Sequence, residues 1–136
     1  MKTLLISLFS LIFLFNLQAQ EPMKVVFDVT SKSTAIQEAA VRHLTIMSRD
    51  YKDSQFEMVV YSGALNMLLK SKSTVAKQVE ALAKNNNVTI VACEMTMNRY
   101  KVTLDDMIAG TGSVHNGITE VVVKQQQGWS YIKEAQ

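Results

Sequence analysis

Residues 24–29, Lys24-Val25-Val26-Phe27-Asp28-Val29, decide the fold. The run is short, β-branched and almost continuously apolar, as expected of a strand covered on both faces rather than one alternating between core and water. Two further runs have the same character, Phe56-Glu57-Met58-Val59-Val60-Tyr61 and Val88-Thr89-Ile90-Val91-Ala92-Cys93. Between the first two lies a helix-period segment with Ser33 or Thr34 as cap and an inner stripe of Ile36, Ala39, Ala40, His43, Leu44 and Met47, ending near Asp50. Ser62-Gly63 reads as a turn, Ala64 to Leu69 as a short helix, and Val75 to Lys84 as a helix stopped by Asn85-Asn86-Asn87. Thr103 with Asp105 and Asp106 predicts a further helix start. Ser113-Val114 reads as a brief strand, and Asn116 or His115 as the cap of a helix through Ile118, Val121, Val122 and Gln125 that Gly128 ends. Trp129 to Ile132 is the last strand. Strands alternating with helices predict an α/β fold, a three-layer α/β/α sandwich around a mostly parallel sheet of about five strands.

The first nineteen residues are of another kind. Lys2 is followed by an apolar run from Leu4 to Phe15, broken only by Ser7 and Ser10, and a polar exit, Asn16-Leu17-Gln18-Ala19. This layout predicts a secretory signal peptide over 1–19, an exported (periplasmic or secreted) product and no membrane attachment after cleavage. The run is too short for a spanning helix, which takes about 20 apolar residues. It also inflates the mean hydropathy of +0.07. The remaining residues, 20–136, suffice for one domain with one core. That length and composition exclude multi-domain enzymes, collagen-like chains and disordered proteins.

A net charge of +2 gives no reason to expect a nucleic-acid partner. The lysines between Lys70 and Lys77 are spread among serines and threonines without aromatic residues to stack on bases. Gly110-Thr111-Gly112 lacks the third glycine of a dinucleotide fingerprint, no Walker-type lysine follows it, and no G-x-S-x-G elbow supplies a hydrolase serine.

In an open parallel sheet, ligands bind beyond the carboxyl ends of the strands. That edge collects Asp28 with Thr30 and Ser31, Ser62 with Gly63, Cys93 with Glu94, and Ser113 to Asn116. Cys93 is the single cysteine, so no intramolecular disulfide forms, and in an oxidising compartment its thiol is either buried and inert, paired with another chain, or reactive. Backbone N–H groups after the strand lower a thiol pKa, whereas the neighbouring Glu94 raises it. Cys93-x-Met95-x-Met97 also offers soft sulfur ligands for Cu(I), with His115 near, although methionines are more often core filler and packing is the preferred reading.

Lys24 to Val29, Leu68-Leu69-Lys70, Val91-Ala92-Cys93-x-x-Thr96-Met97, Leu104 with Asp106-Met107-Ile108, Gly117 to Val122 and Gly128-x-x-Tyr131-Ile132-Lys133 stand together in an order and spacing that resembles the DsrE/DsrF-like family. The resemblance spans Met23 to Lys133. It implies a homotrimer or larger oligomer such as a hexamer, and a link to sulfur metabolism in which Cys93 carries or relays sulfane sulfur as a persulfide, exchanged with a thiol- or persulfide-bearing partner. Asp28, Glu94, Thr96, His115 and Asn116 are the expected binding residues around Cys93, with no metal and no cofactor implied. Met95 stands where many relatives have asparagine, and Glu94 adds a charge that disfavours an anionic persulfide. The alternative from a different class is a non-enzymatic oligomeric binding module with Cys93 packed inert against the sheet.

Overall fold

The computed structural model describes residues 20–135, so the signal-peptide expectation over 1–19 lies outside the described residues. Five strands, β1 (Lys24–Val29), β2 (Gln55–Val60), β3 (Val88–Cys93), β4 (Gly112–Val114) and β5 (Ser130–Glu134), form one sheet in the order β4-β3-β2-β1-β5. Every pairing is parallel. The α-helices are α1 (Thr34–Asp50), α2 (Ala76–Leu82), α3 (Glu94–Tyr100) and α4 (Gly117–Gln126), with 3₁₀ segments at Ser62–Leu68 and Leu104–Asp106.

Strand order dictates where the helices go. From β1 to β4 the chain moves steadily across the sheet, and the connection through α4 carries it back to β5 on the far side of β1. Parallel crossovers are right-handed, so connections running in opposite directions put their helices on opposite faces. The first face, with Val25, Phe27, Val29, Phe56, Met58, Val60, Val88, Ile90 and Ala92, packs against α1, α2, Met97 of α3 and the first 3₁₀ segment in one large core. The second face keeps a much smaller core of Val26, Val59, Val91 and Val121, flanked by Tyr61, Val114 and Trp129. The same face buries Asp28 and Glu57. These carboxylates interrupt β1 and β2 at the alternate positions that point away from the large core.

Three expectations are corrected. The buried stripe of α1 is Gln37, Ala40, Val41, Leu44 and Ser48, because Gln37 can turn inward to donate to the Ser31 carbonyl at 2.9 Å. His43 therefore leaves the inner stripe for the helix boundary and meets the buried Glu134 of β5, Nδ1 to Oε1 3.0 Å. The helix expected to start at Thr103 is one 3₁₀ turn, closed by a reciprocal Thr103–Asp106 capping box. The chain instead makes α3 directly out of β3, and ends it at Lys101 in a left-handed conformation (φ 55°).

Candidate functional site

Helices α3 and α4 leave neighbouring strands, β3 and β4, toward opposite faces of the sheet. A crevice opens at such a reversal, beyond the carboxyl ends of the strands. Cys93, the last residue of β3 and the cap position of α3, lies at this reversal. Strand alternation puts its side chain on the second face, two residues beyond Val91. The thiol is buried, with the residue 4% exposed.

Opposing effects set its acidity. Burial raises the thiol pKa and is the largest single effect, but the N–H groups of Gly117, Thr96 and Met95 and the Thr96 hydroxyl turn toward the sulfur and together bring the pKa below its usual value. None of the α3 amides closes a short cap hydrogen bond to the neutral thiol, so their effect is electrostatic and is felt by the thiolate. Asn116 explains why Gly117 is available. Its side-chain oxygen caps α4 by accepting from Ile118 N at 2.9 Å and Thr119 N at 3.3 Å, leaving the first amide of the helix, that of Gly117, for the sulfur. A side chain there would be crowded, since a Cβ would stand 3.0 Å from Tyr61 Cδ1 and 3.2 Å from Val59 Cγ1. Thr96 is held in turn by Ser62 N, which donates to its Oγ1 at 3.2 Å, with Ser62 at φ 54°, an uncommon conformation for a non-glycine residue.

The remaining expected residues divide. Glu94 turns away from the thiol to the rim, where Ser113 Oγ donates to it at 2.8 Å and His115 Nδ1 stands at 3.7 Å. His115 is almost fully solvated, its side chain 89% exposed. Asp28 does not reach the thiol. Its Oδ2 accepts from Tyr131 Oη at 2.7 Å and Lys133 Nζ at 3.1 Å, and the same ammonium donates to Thr30 Oγ1 at 2.8 Å. Hydrogen bonding to Asp28, with lesser burial, pushes the Tyr131 phenol up to about 12. Tyr61 lies between the Asp28 group and Gly117, with Lys133 Nζ 5.9 Å from its ring centroid, and burial followed by Asp28 raises its pKa.

Sequence reasoning missed Gly117 and Tyr61 as neighbours of Cys93, and Tyr131 and Lys133 as partners of Asp28. The second pair was visible in the alternation of Ser130-Tyr131-Ile132-Lys133, which places both on one face. The set Cys93, Met95 and Met97 does not converge, because the segment is helical. Met95 is exposed and Met97 is buried in the large core on the first face. Among the described residues, no three His, Cys, Asp or Glu side chains gather in a way that would hold a metal ion.

The family model described as the DsrE/DsrF-like family matches residues 23–133. Among solved structures, the fold resembles a protein titled as of unknown function, MTH1491 from Methanobacterium thermoautotrophicum, with a TM-score of 0.75 and 25% identity over 82% of this chain and 98% of that one. It also resembles the YchN protein from E. coli, with a TM-score of 0.66 and 13% identity over 82% of this chain and 99% of that one. No curated protein matches the chain.

Proposed function

The chain belongs to the DsrE/DsrF-like family, and from that membership and the setting of Cys93 we propose that it handles sulfur, with Cys93 carrying a sulfane sulfur atom as a persulfide. The observation that supports this reading is the polar cradle of the thiol, three amides and the Thr96 hydroxyl at a topological reversal of the sheet. A cysteine serving only as core filler needs no such donors, and a thiolate does.

The Cys93 thiolate attacks the outer sulfur of a persulfide or polysulfide. A sulfur–sulfur bond forms on Cys93 as the donor's bond breaks, the donor leaves as a thiolate, and no net oxidation occurs. An acceptor thiolate then attacks the outer sulfur and Cys93 leaves as thiolate. The acidity of Cys93 serves both halves, since a thiol of lowered pKa is ionised more often and leaves faster. In this reading the mature protein is exported, assembles as a trimer or hexamer of identical chains, and exchanges sulfur with a thiol-bearing partner.

Intact-mass measurement after incubation with polysulfide tests the proposal. One reductant-labile sulfur atom on the wild-type chain, absent from Cys93→Ser, is expected. No adduct, or equal uptake by Cys93→Ser, overturns it. The binding-module alternative predicts a thiol that a small alkylating agent reaches only after global unfolding.

A further inference from the structure

Strand β5 ends the sheet, with β1 on one side and, among the described residues, no backbone partner on the other. A free edge strand offers its outward N–H and C=O groups to any extended chain, and proteins ordinarily guard such an edge with projecting charges. The charges of β5 are drawn back instead. Lys133 Nζ donates to Asp28 Oδ2 at 3.1 Å and to Thr30 Oγ1 at 2.8 Å, and the Glu134 carboxylate turns to His43 Nδ1 of α1 at 3.0 Å. The opposite edge, β4, is three residues long against five in β5.

Beside this edge, on the first face, a cavity of about 180 Å³ opens between α1 and β5. Its lining is mostly apolar, with Ile46 and Met47 of α1, Phe27 of β1 and Ile132 of β5 joined by His43 and Glu134. A cavity of about 150 Å³ accepts benzene, so this one accepts a single aliphatic or phenyl side chain. Ile46 stands exposed at its rim, and the exposed Tyr131 ring offers a second apolar surface on the other face of β5. The residues decide what fits. A second copy's β5 has one apolar residue on the first face, Ile132, which already lines the cavity of its own chain and leaves nothing to insert. A five-residue strand is about 17 Å long. With one cavity beside it, that is the footprint of a peptide, short of the roughly 800 Å² on each side that a stable folded partner buries.

We propose that β5 and the cavity between α1 and β5 form a docking site for an extended peptide of a partner protein, which adds a strand to the sheet and places one apolar side chain in the cavity. The probe is a fluorescein-labelled peptide, Lys-Thr-Val-Leu-Val-Thr-Lys, whose leucine shares a face with the two threonines. Its anisotropy is expected to rise saturably with the mature protein. Aspartate in place of the peptide's leucine, or Ile46→Glu at the exposed rim, is expected to weaken binding at least tenfold. Strand addition uses the amides of alternate residues only, so N-methylation of the valines and N-methylation of the leucine and threonines are expected to differ, one set abolishing binding and the other tolerated. The proposal is overturned by the absence of saturation, by wild-type affinity with either substitution, or by equal effects of the two methylated peptides. It is also overturned if peptide binding lowers the mass of the protein in sedimentation, which would give the edge to a second copy. Cys93→Ser is expected to bind the peptide as the wild type does, which separates this site from the sulfur reading.

Discussion

Replacing Gly117 by alanine tests whether the α4 amide sets the acidity of Cys93. The new Cβ meets Tyr61 Cδ1 at 3.0 Å, Tyr61 Cγ at 3.2 Å and Val59 Cγ1 at 3.2 Å. Val59 is a fully buried, β-branched strand residue, and the Tyr61 ring has Lys133 beside it, so neither can retreat freely. The start of α4 must lift by a few tenths of an ångström. Overpacking of this kind costs about 1–3 kcal/mol, offset by up to about 1 kcal/mol from the better helix propensity of alanine. The net expected loss of stability is about 1 kcal/mol. The lifted amide also turns partly away from the sulfur. A hydrogen bond to a charged group contributes about 1.5–3 kcal/mol, and losing part of one, about 1 kcal/mol, raises the thiol pKa by somewhat less than one unit. At neutral pH the thiolate fraction then falls about fivefold. The assay is the rate of iodoacetamide reaction as a function of pH, read as the midpoint of the profile, because a destabilised helix also changes access and hence the absolute rate. A variant that loses stability while the midpoint stays put or moves down would refute the role given to Gly117.

Three further outcomes follow from the same contacts. Thr96→Val removes the hydroxyl facing Cys93 and strands the Ser62 amide that donates to it, so the alkylation midpoint should rise and stability should fall by about 1–2 kcal/mol, while Thr96→Ser should keep the wild-type midpoint. Tyr61 and Tyr131 have raised pKa values when folded, so above pH 10 the unfolded chain ionises while the folded one resists; stability should drop as pH climbs from about 10 towards 12, and phenolate absorbance in Asp28→Asn should appear at lower pH than in wild type. Lys124→Met leaves the Glu57 carboxylate buried without its counter-ion, at a cost of about 3 kcal/mol near pH 7 by urea denaturation; burial already holds the Glu57 pKa above its unfolded value, so the cost should shrink as pH falls and the group protonates, and a loss that grows in acid would contradict this.

The sheet was legible because its strands advertise themselves. Lys24 to Val29 and Val88 to Cys93 carry β-branched residues on both faces, a pattern that local composition alone writes. Helix α3 was harder to read, since Glu94 to Tyr100 has no stop signal before it and gains its start from the strand that ends at Cys93. Within the candidate site, what was legible is the placement of Cys93 at a strand end, Thr96 just after it and Asn116 as a helix cap, each fixed by residues close to it in the chain. The partners that matter most are remote. Gly117 and Tyr61 meet only because β2 and α4 close over the same crevice. Glu57 reads in sequence as one charge within an apolar strand, and nothing local marks Lys124 as its partner, because the pairing depends on α4 returning across the second face.

That return has a consequence for how the thiol is reached. On the first face the core is extensive, whereas on the second only Gly117 and Val121 of α4 are buried. Helix α4 is therefore the more weakly docked unit, the kind of element that opens locally well before the whole domain unfolds. Its first residue covers Cys93, so the 4% exposure of that residue describes the closed state, and reaction with a donor requires the helix start to lift. Val121→Ala removes two buried carbon groups, about 1.6 kcal/mol at about 0.8 kcal/mol each, which raises the open population more than tenfold. Native-state alkylation of Cys93 should accelerate by that factor. Leu44→Ala, in the large core, costs about 2–5 kcal/mol globally but loosens α1 rather than α4, so it should leave the rate near wild type in the absence of denaturant. Equal acceleration by both variants would mean that the thiol is reached through global unfolding, and no acceleration by Val121→Ala would mean that α4 does not gate it.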